Sequence, residues 1–566
     1  MKFSEMPYTR PDAEALKKQM SQLTERLKSA ASYEEARQVF LEKEAASRTV
    51  ETQATLASIR HSIDTRDTFY DGEEKFWNTF GPELEEYEQA WKAAMLDSPF
   101  RKDFSAEYGD LMFLNAEIAR KCFKPEIIPE MQQENDLTQE YEKLLASAQI
   151  PFEGKTYTLS QLTPLKSDPD DARRLAAWQA DAKWSMEHAA ELDELYDKLV
   201  HLRDSMGKKM GYEGYTTLGY YRMNRNCYTK EDVEKFRAAV QKYLVPVADK
   251  ICRKQAERLG KTYPLSFADL ALEFRSGNPC PMGTPDDILA QGMKFYGELS
   301  PETKVFFRTM LDNELLDVLS TEGKQAGGYC TNLGDYEVPF IFANFNGTQH
   351  DVEVVTHEAG HAFADWTNRK RIPSSYIWPT LEGCEVHSMS MEFFAWPWAE
   401  GFFGPDTRKF LYSHLAGALT FIPYGTMVDH FQHEVYAHPE YTPEQRHDIW
   451  RELLKVYMPW MRRDSLPFYG DGRGWQRQQH IYRSPFYYID YCLAQTVALQ
   501  FWALIQNDRA DAWSHYMDLV RLAGTRTFRE LVAAAGLDTP FGDEALAKVA
   551  DAAQQWLDAF DAEKLK

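Results

Sequence analysis

The chain has 566 residues, with 87 acidic against 64 basic side chains and a formal charge of −23. That surplus repels phosphate backbones and anionic headgroups, so neither nucleic acid nor a membrane is expected as a partner. M-K-F-S-E-M-P-Y-T-R-P-D lacks the apolar stretch of a secretory signal, and no run of about 18 apolar residues exists to span a bilayer.

Residues 11 to about 147 read as long amphipathic helices. One opens at P-D-A-E-A-L-K-K, with Pro11 suited to its first turn, and Tyr33 to Ile63 runs on without Gly or Pro. Ile150-Pro-Phe-Glu-Gly-Lys-Thr-Tyr-Thr-Leu159 alternates around a Gly-containing turn and predicts a short β-hairpin. Helical patterning resumes from Asp168 to Leu259. Gln325 to Asn346 reads as two short strands around a polar loop, with Pro339 marking an edge strand or a strand start. Thr348-Gln-His-Asp351 fits a capping box opening the next helix, and the remainder is mostly helical. The seven cysteines are scattered without a C-x-x-C pair, which fits free thiols in a reducing compartment and a cytoplasmic protein.

The helix after Asp351 contains V-V-T-H-E-A-G-H-A-F, residues Val354 to Phe363. Histidines four apart lie one turn apart on a helix, within reach of a single metal ion. Glu358, beside His357, points next to such an ion and is placed to take a proton from water there. The alternative is a buried helix that happens to contain two histidines. A catalytic zinc also needs a third protein ligand and an open position. The next helix ends before Pro397 and carries Glu382, Glu385 and Glu392, spaced by three and seven along one face. Met389, Met391, Phe393 and Phe394 flank that face. Three carboxylates on a partly buried stripe are costly unless a cation pairs with them.

H-E-A-G-H followed 21 residues later by E-x-x-E-x-x-S-x-x-x-E resembles the M3 family of zinc metallopeptidases. The resemblance implies one Zn²⁺ per chain, held by His357, His361 and Glu385, with Glu358 as general base. It puts Glu382 and Glu392 among carboxylates that orient the ligand histidines. His387 stands where the thimet-type pattern has proline, which argues against that branch of the family. G-G-Y-C-T and P-F-I-F-A-N-F-N-G-T are similar to the family's edge strand and the entry to its active-site helix. Gly328 and Tyr329 are therefore expected to contact substrate, since an unpaired edge can hold an extended peptide. Trp475 to Tyr491 looks like the oligoendopeptidase F version of the family's His/Tyr segment, and A-A-G-L-D-T-P-F resembles its C-terminal end.

The resemblance matches His480 and Tyr488 to groups that stabilise the tetrahedral intermediate, and Tyr491 and Tyr482 to substrate contacts. Read from the residues alone, Tyr487, Tyr488 and Tyr491 form an aromatic core stripe; with the resemblance, Tyr487 alone is expected in the core. His430 and His433 could share a helix face, but His438 is turned about 140° away from His433, so a structural or surface role is expected. Both G-K-T tripeptides lack the P-loop glycine, Gln149 and Gln255 standing in its place. Asp471-Gly-Arg-Gly-Trp475 reads as a mobile loop able to close over substrate.

The expected fold is mainly α, with two helical lobes around a deep substrate channel and a small β-sheet near the active site. Residues 1–185 would form an N-terminal helical region and 186–566 the catalytic region. The expected activity is zinc-dependent hydrolysis of internal bonds in short unstructured peptides, with oligomeric state left open. The alternatives are a zinc exopeptidase of peptidyl-dipeptidase type, or a silent peptide-binding protein with a structural metal. An intact Glu358 weighs against the last, because a structural site needs no base.

Overall fold

The computed structural model describes residues 1–463, 466–562 and 565. Helices dominate it, as expected, and the strands form sheets of two or three. The first helix is Ala13–Ser29, capped by Asp12, whose side chain accepts from the Ala15 amide. Pro11 therefore precedes the first turn rather than sitting in it. Tyr33–Ile63 is one uninterrupted helix capped by Ser32.

Two large apolar cores support the architecture, beside a small cluster of Val245, Ala248, Cys252 and Trp460. The smaller of the two gathers Leu16, Phe40, Phe80, Trp91, Phe104 and Phe113 from the first helices. The larger runs from Leu56 through the helices Ile128–Ala146 and Ala189–Met210 to the C-terminal helix. Tyr33–Ile63 reaches into both cores.

β1 (Ile150–Phe152) and β2 (Lys155–Tyr157) form the expected hairpin, turning through Glu153 and Gly154 with φ of 49° and 76°. β3 (Leu265–Ser266) pairs in parallel with β7 (Met461–Arg462). The third sheet has the order β4-β6-β5, from β4 (Leu316–Leu319), β5 (Tyr329–Leu333) and β6 (Val338–Phe345). β6 is its centre, so Pro339 marks a strand start, and the P-F-I-F-A-N-F segment is not the edge. β4 and β5 are the edges, and β5 is the one that lines the cavity described below.

After β6 the chain enters the helix His350–Asn368, which carries the two histidines. The expected capping box does not form. The helix begins after Gln349, and Asp351 instead accepts from the amides of Asn346 and Gly347, bracing the turn before it. The acidic stripe lies on Leu381–Phe394, and the tyrosine segment opens the helix Tyr488–Asn507. Among the described residues no helix is long and apolar enough to cross a membrane, and all seven cysteines are free.

Candidate active site

Gly360 sits where His350–Asn368 crosses Leu381–Phe394. A Cβ there would lie 2.7 Å from Ser388 Cα and 2.8 Å from the His387 carbonyl oxygen, so only glycine permits the approach. The approach brings the acidic stripe to the histidines. Glu385 Oε2 stands 3.2 Å from His357 Nε2 and 3.3 Å from His361 Nε2. The donor atoms of these three residues all lie within 4.8 Å of one another. Two imidazole nitrogens and one carboxylate oxygen match the donor set of a catalytic zinc, with a position left for water or substrate.

The groups behind these donors fit a metal too. Glu392 accepts from His357 Nδ1 at 2.7 Å and from His414 Nε2 at 2.7 Å. Trp396 donates its indole N–H to His414 Nδ1 at 2.9 Å, so His414 carries its own proton on Nε2 and gives it to Glu392. With His357 donating from Nδ1, its Nε2 lone pair is left facing Glu385 and the gap beside it. Glu385 is fixed likewise: Tyr487 donates its hydroxyl to Oε1 at 2.6 Å, which leaves Oε2 for the histidines. Burial opposes the Glu385 charge, yet His361 and His357 hold its carboxyl well below the usual range.

Glu358 is buried and lines the same cavity. Burial raises its carboxyl above the ordinary range, against the pull of His357 and His361. A Cβ on Gly328 would lie 3.5 Å from Glu358 Oε1 and 3.3 Å from the Phe342 carbonyl oxygen, so the start of the β5 edge comes close to this carboxylate.

The cavity measures about 850 Å³. It is lined by Arg48, Glu51 and Thr55 of Tyr33–Ile63, by β5, against which that helix packs, by the motif histidines and by the loop around Trp378. His480 closes a further wall, its Nε2 3.2 Å from the Tyr491 hydroxyl. Burial lowers the His480 pKa to about 4, and Arg483 acts in the same direction, so its ring is neutral at physiological pH.

Several expectations change here. Tyr487 and Tyr491, one helical turn apart, both line the cavity. Tyr488 is not among the lining residues; its ring lies 5.0 Å from that of His480 and packs against Phe421 and Tyr424, at 5.8 and 6.0 Å. The helix phase therefore exchanges the places expected of Tyr487 and Tyr488. Tyr482 is fully buried, stacked on Tyr141 at 4.0 Å with its hydroxyl on the Leu192 carbonyl, away from any substrate. Glu382 is buried too, but it accepts from Thr380 and lies beside Asp490, not beside the ligand histidines. Burial and Asp490 both raise its carboxyl. Gly328 and Tyr329 do line the cavity, although the Tyr329 ring stacks on Phe342 at 4.8 Å and its hydroxyl is buried.

His433 is held by the Tyr220 hydroxyl at 2.9 Å and by Asp429, and His430 contacts Tyr457. The Asp471–Trp475 loop, expected to be mobile, is tied down. Arg451 donates to the Asp471 carbonyl, Arg473 pairs with Asp193, and Trp475 is fully buried. His414 and Trp396 escaped sequence reasoning. His414 meets Glu392, and Trp396 meets His414, through packing of separate helices that no local spacing marks.

Two family models match the chain: the peptidase M3 N-terminal domain over residues 3–123 and peptidase family M3 over residues 302–551. A solved structure assigned as an oligoendopeptidase F is 44% identical, with 100% of both chains covered and a TM-score of 0.98. The chain belongs to peptidase family M3. A Pz peptidase A solved with an inhibitor is 43% identical over 99% of this chain and 100% of its own, also with a TM-score of 0.98. A protein assigned as an oligoendopeptidase F from Bacillus anthracis str. Ames is 41% identical over 100% and 99%, with a TM-score of 0.93. No curated protein matches the sequence. Membership of this family makes the protein a metallopeptidase, and the His357, His361 and Glu385 cluster is where a metal fits.

Proposed function

We propose that this M3 peptidase is a zinc-dependent oligoendopeptidase, cleaving internal bonds of short unstructured peptides inside this cavity. The observation that carries the reading is the convergence of His357, His361 and Glu385 with Glu358 on the cavity side. The names of the full-length structural relatives agree with it.

Zinc, when bound, supplies the Lewis acid that makes water a competent nucleophile near neutral pH. Glu358 accepts the proton of the attacking water and returns it to the leaving amine. Its raised carboxyl suits both directions of transfer, because an effective acid–base group has a pKa near the working pH. His480, neutral and carrying a proton on Nε2, donates to the oxygen on which charge develops, and Tyr491 beside it offers a hydroxyl. The loss of one such donor typically costs about 10²–10³ in rate. Tyr487 holds the metal-binding carboxylate, and the β5 edge holds the peptide backbone through Gly328 and its neighbours.

A mixed peptide library, incubated with and without chelator and read by mass spectrometry, tests the activity. Chelator-sensitive internal cleavage is expected. Release of terminal dipeptides only would make the protein an exopeptidase, and no cleavage would make it a silent binder. Glu358→Gln tests the base: it should bind zinc stoichiometrically yet lose about 10²-fold or more in kcat. Substantial residual turnover in that variant would remove Glu358 from the role.

A further inference from the structure

We infer that Gln478, steadied by Tyr424, is a positioning residue that holds His480 in the tautomer able to donate to substrate. The inference rests on the proposed role of His480 as an oxyanion donor.

A neutral imidazole has one N–H and one lone pair, and its neighbours decide which nitrogen carries which. Gln478 Nε2 stands 3.0 Å from His480 Nδ1. On the far side of the same amide, the Tyr424 hydroxyl donates to Gln478 Oε1 at 3.0 Å. The amide carbonyl thus faces Tyr424 and its NH₂ faces the imidazole. An amide N–H donates, so Nδ1 is the acceptor and the ring proton sits on Nε2. That nitrogen is the one 3.2 Å from Tyr491 on the cavity side.

The reversed amide would change the chemistry. With Oε1 against Nδ1, the ring proton would move to Nδ1, and Nε2 would present a lone pair to the oxygen that becomes anionic. Tyr491 would then give its hydroxyl proton to His480 and have none left for substrate. One amide orientation leaves the Tyr491 hydroxyl proton free for the cavity with the Nε2–H beside it, and the other leaves no donor there.

Both supports are themselves fixed. Gln478 caps the short helix Gln479–Arg483, and its backbone N–H donates to the carbonyl of fully buried Trp475 at 3.0 Å. Tyr424 lies within the long helix Thr407–Ala437, its ring edge-on to Trp450 and Tyr488 at 6.3 and 6.0 Å. The neighbouring Gly425 has no room for a Cβ, which would stand 2.4 Å from Cys492 Sγ, so that helix is tightly docked on Tyr488–Asn507.

The test uses the zinc-loaded full-length enzyme with ¹⁵N-histidine, the His480 signals being assigned by their loss in His480→Ala. Wild type should show His480 protonated on Nε2. Gln478→Glu, nearly isosteric but an acceptor, should move the proton to Nδ1, and Tyr424→Phe should give a mixture. Gln478→Ala should lower kcat about 10²-fold with little change in KM. In a His480→Ala background it should do nothing further. An Nδ1-protonated His480 in wild type would overturn the inference, as would an undiminished effect of Gln478→Ala without His480, or an effect confined to KM. A His480→Ala enzyme with normal kcat would overturn the underlying reading of His480, while the tautomer measurement would still report whether Gln478 sets the ring.

Discussion

Tyr487 reaches the metal cluster through Glu385 and not directly, since its hydroxyl takes Oε1 and leaves Oε2 to face the histidines. Partners of this kind typically contribute about 10–100-fold in metal affinity by fixing a ligand's orientation. Tyr487→Phe should therefore weaken zinc binding by that factor, measured by competition with a chromogenic chelator. Tyr488→Phe, one position on but facing Phe421 and Tyr424, should leave the affinity unchanged. Equal losses in the two variants would mean that the hydroxyl of Tyr487 does not matter to the metal. The pair also shows what a sequence conceals. Adjacent helical residues point about 100° apart, so choosing between Tyr487 and Tyr488 requires the rotational phase of the helix. That phase is set by packing against Leu381–Phe394 and Thr407–Ala437, which no local pattern encodes. His357, His361 and Glu358 were legible because their geometry comes from four-residue periodicity alone. His414 was not, because it lies 22 residues from Glu392 on another helix and its partner is chosen by the fold.

At the scale of elements, the cluster depends on how closely two helices cross. Gly360 is the contact point, and the atoms that a methyl group would strike belong to the backbone of Leu381–Phe394, so they cannot rotate away. Gly360→Ala must push the helices apart, at a cost of about 1–3 kcal/mol for overpacking. It also withdraws Glu385 from both histidines at once. The expected result is a lower melting temperature together with loss of stoichiometric zinc, measured by calorimetry and elemental analysis on the same preparation. A variant with full zinc and unchanged melting would show that the crossing tolerates a methyl group. Most elements here were legible from hydrophobic period and turn residues, including the hairpin of β1 and β2 and the full extent of Tyr33–Ile63. β4 was not foreseen, because it is short and joins the sheet in parallel to a strand more than twenty residues away. Without β4, β6 cannot be recognised as the sheet's centre, which is why Pro339 could still be read as marking an edge strand, whereas the edge at Gly328 and Tyr329 was legible.

For the molecule as a whole, the confines of the cavity decide what can be a substrate. The cavity is lined by Tyr329 to Asn332 of β5, a strand of five residues ending at Leu333, and by Arg48, Glu51 and Thr55 of the helix Tyr33–Ile63, which packs against that strand. At about 3.4 Å per residue, a peptide paired along β5 lies extended over roughly 17 Å. Shorter peptides forgo backbone hydrogen bonds that hold the scissile bond near Glu358, so their loss should appear in kcat/KM. A folded domain cannot present five extended residues inside the cavity without unfolding locally. For peptides of one sequence, kcat/KM should climb steeply from three residues to about six and then level off. The same sequence placed in a tight loop of a stable domain should resist cleavage until that domain is denatured. Methylating single backbone amides of the peptide separates strand pairing from simple confinement. Alternate amides should matter and those between them should not, because only every second residue of a strand turns its N–H and C=O toward a given neighbour. A uniform response to methylation, or a tripeptide cleaved as efficiently as a hexapeptide, would remove β5 from substrate binding and leave the cavity as a size filter alone.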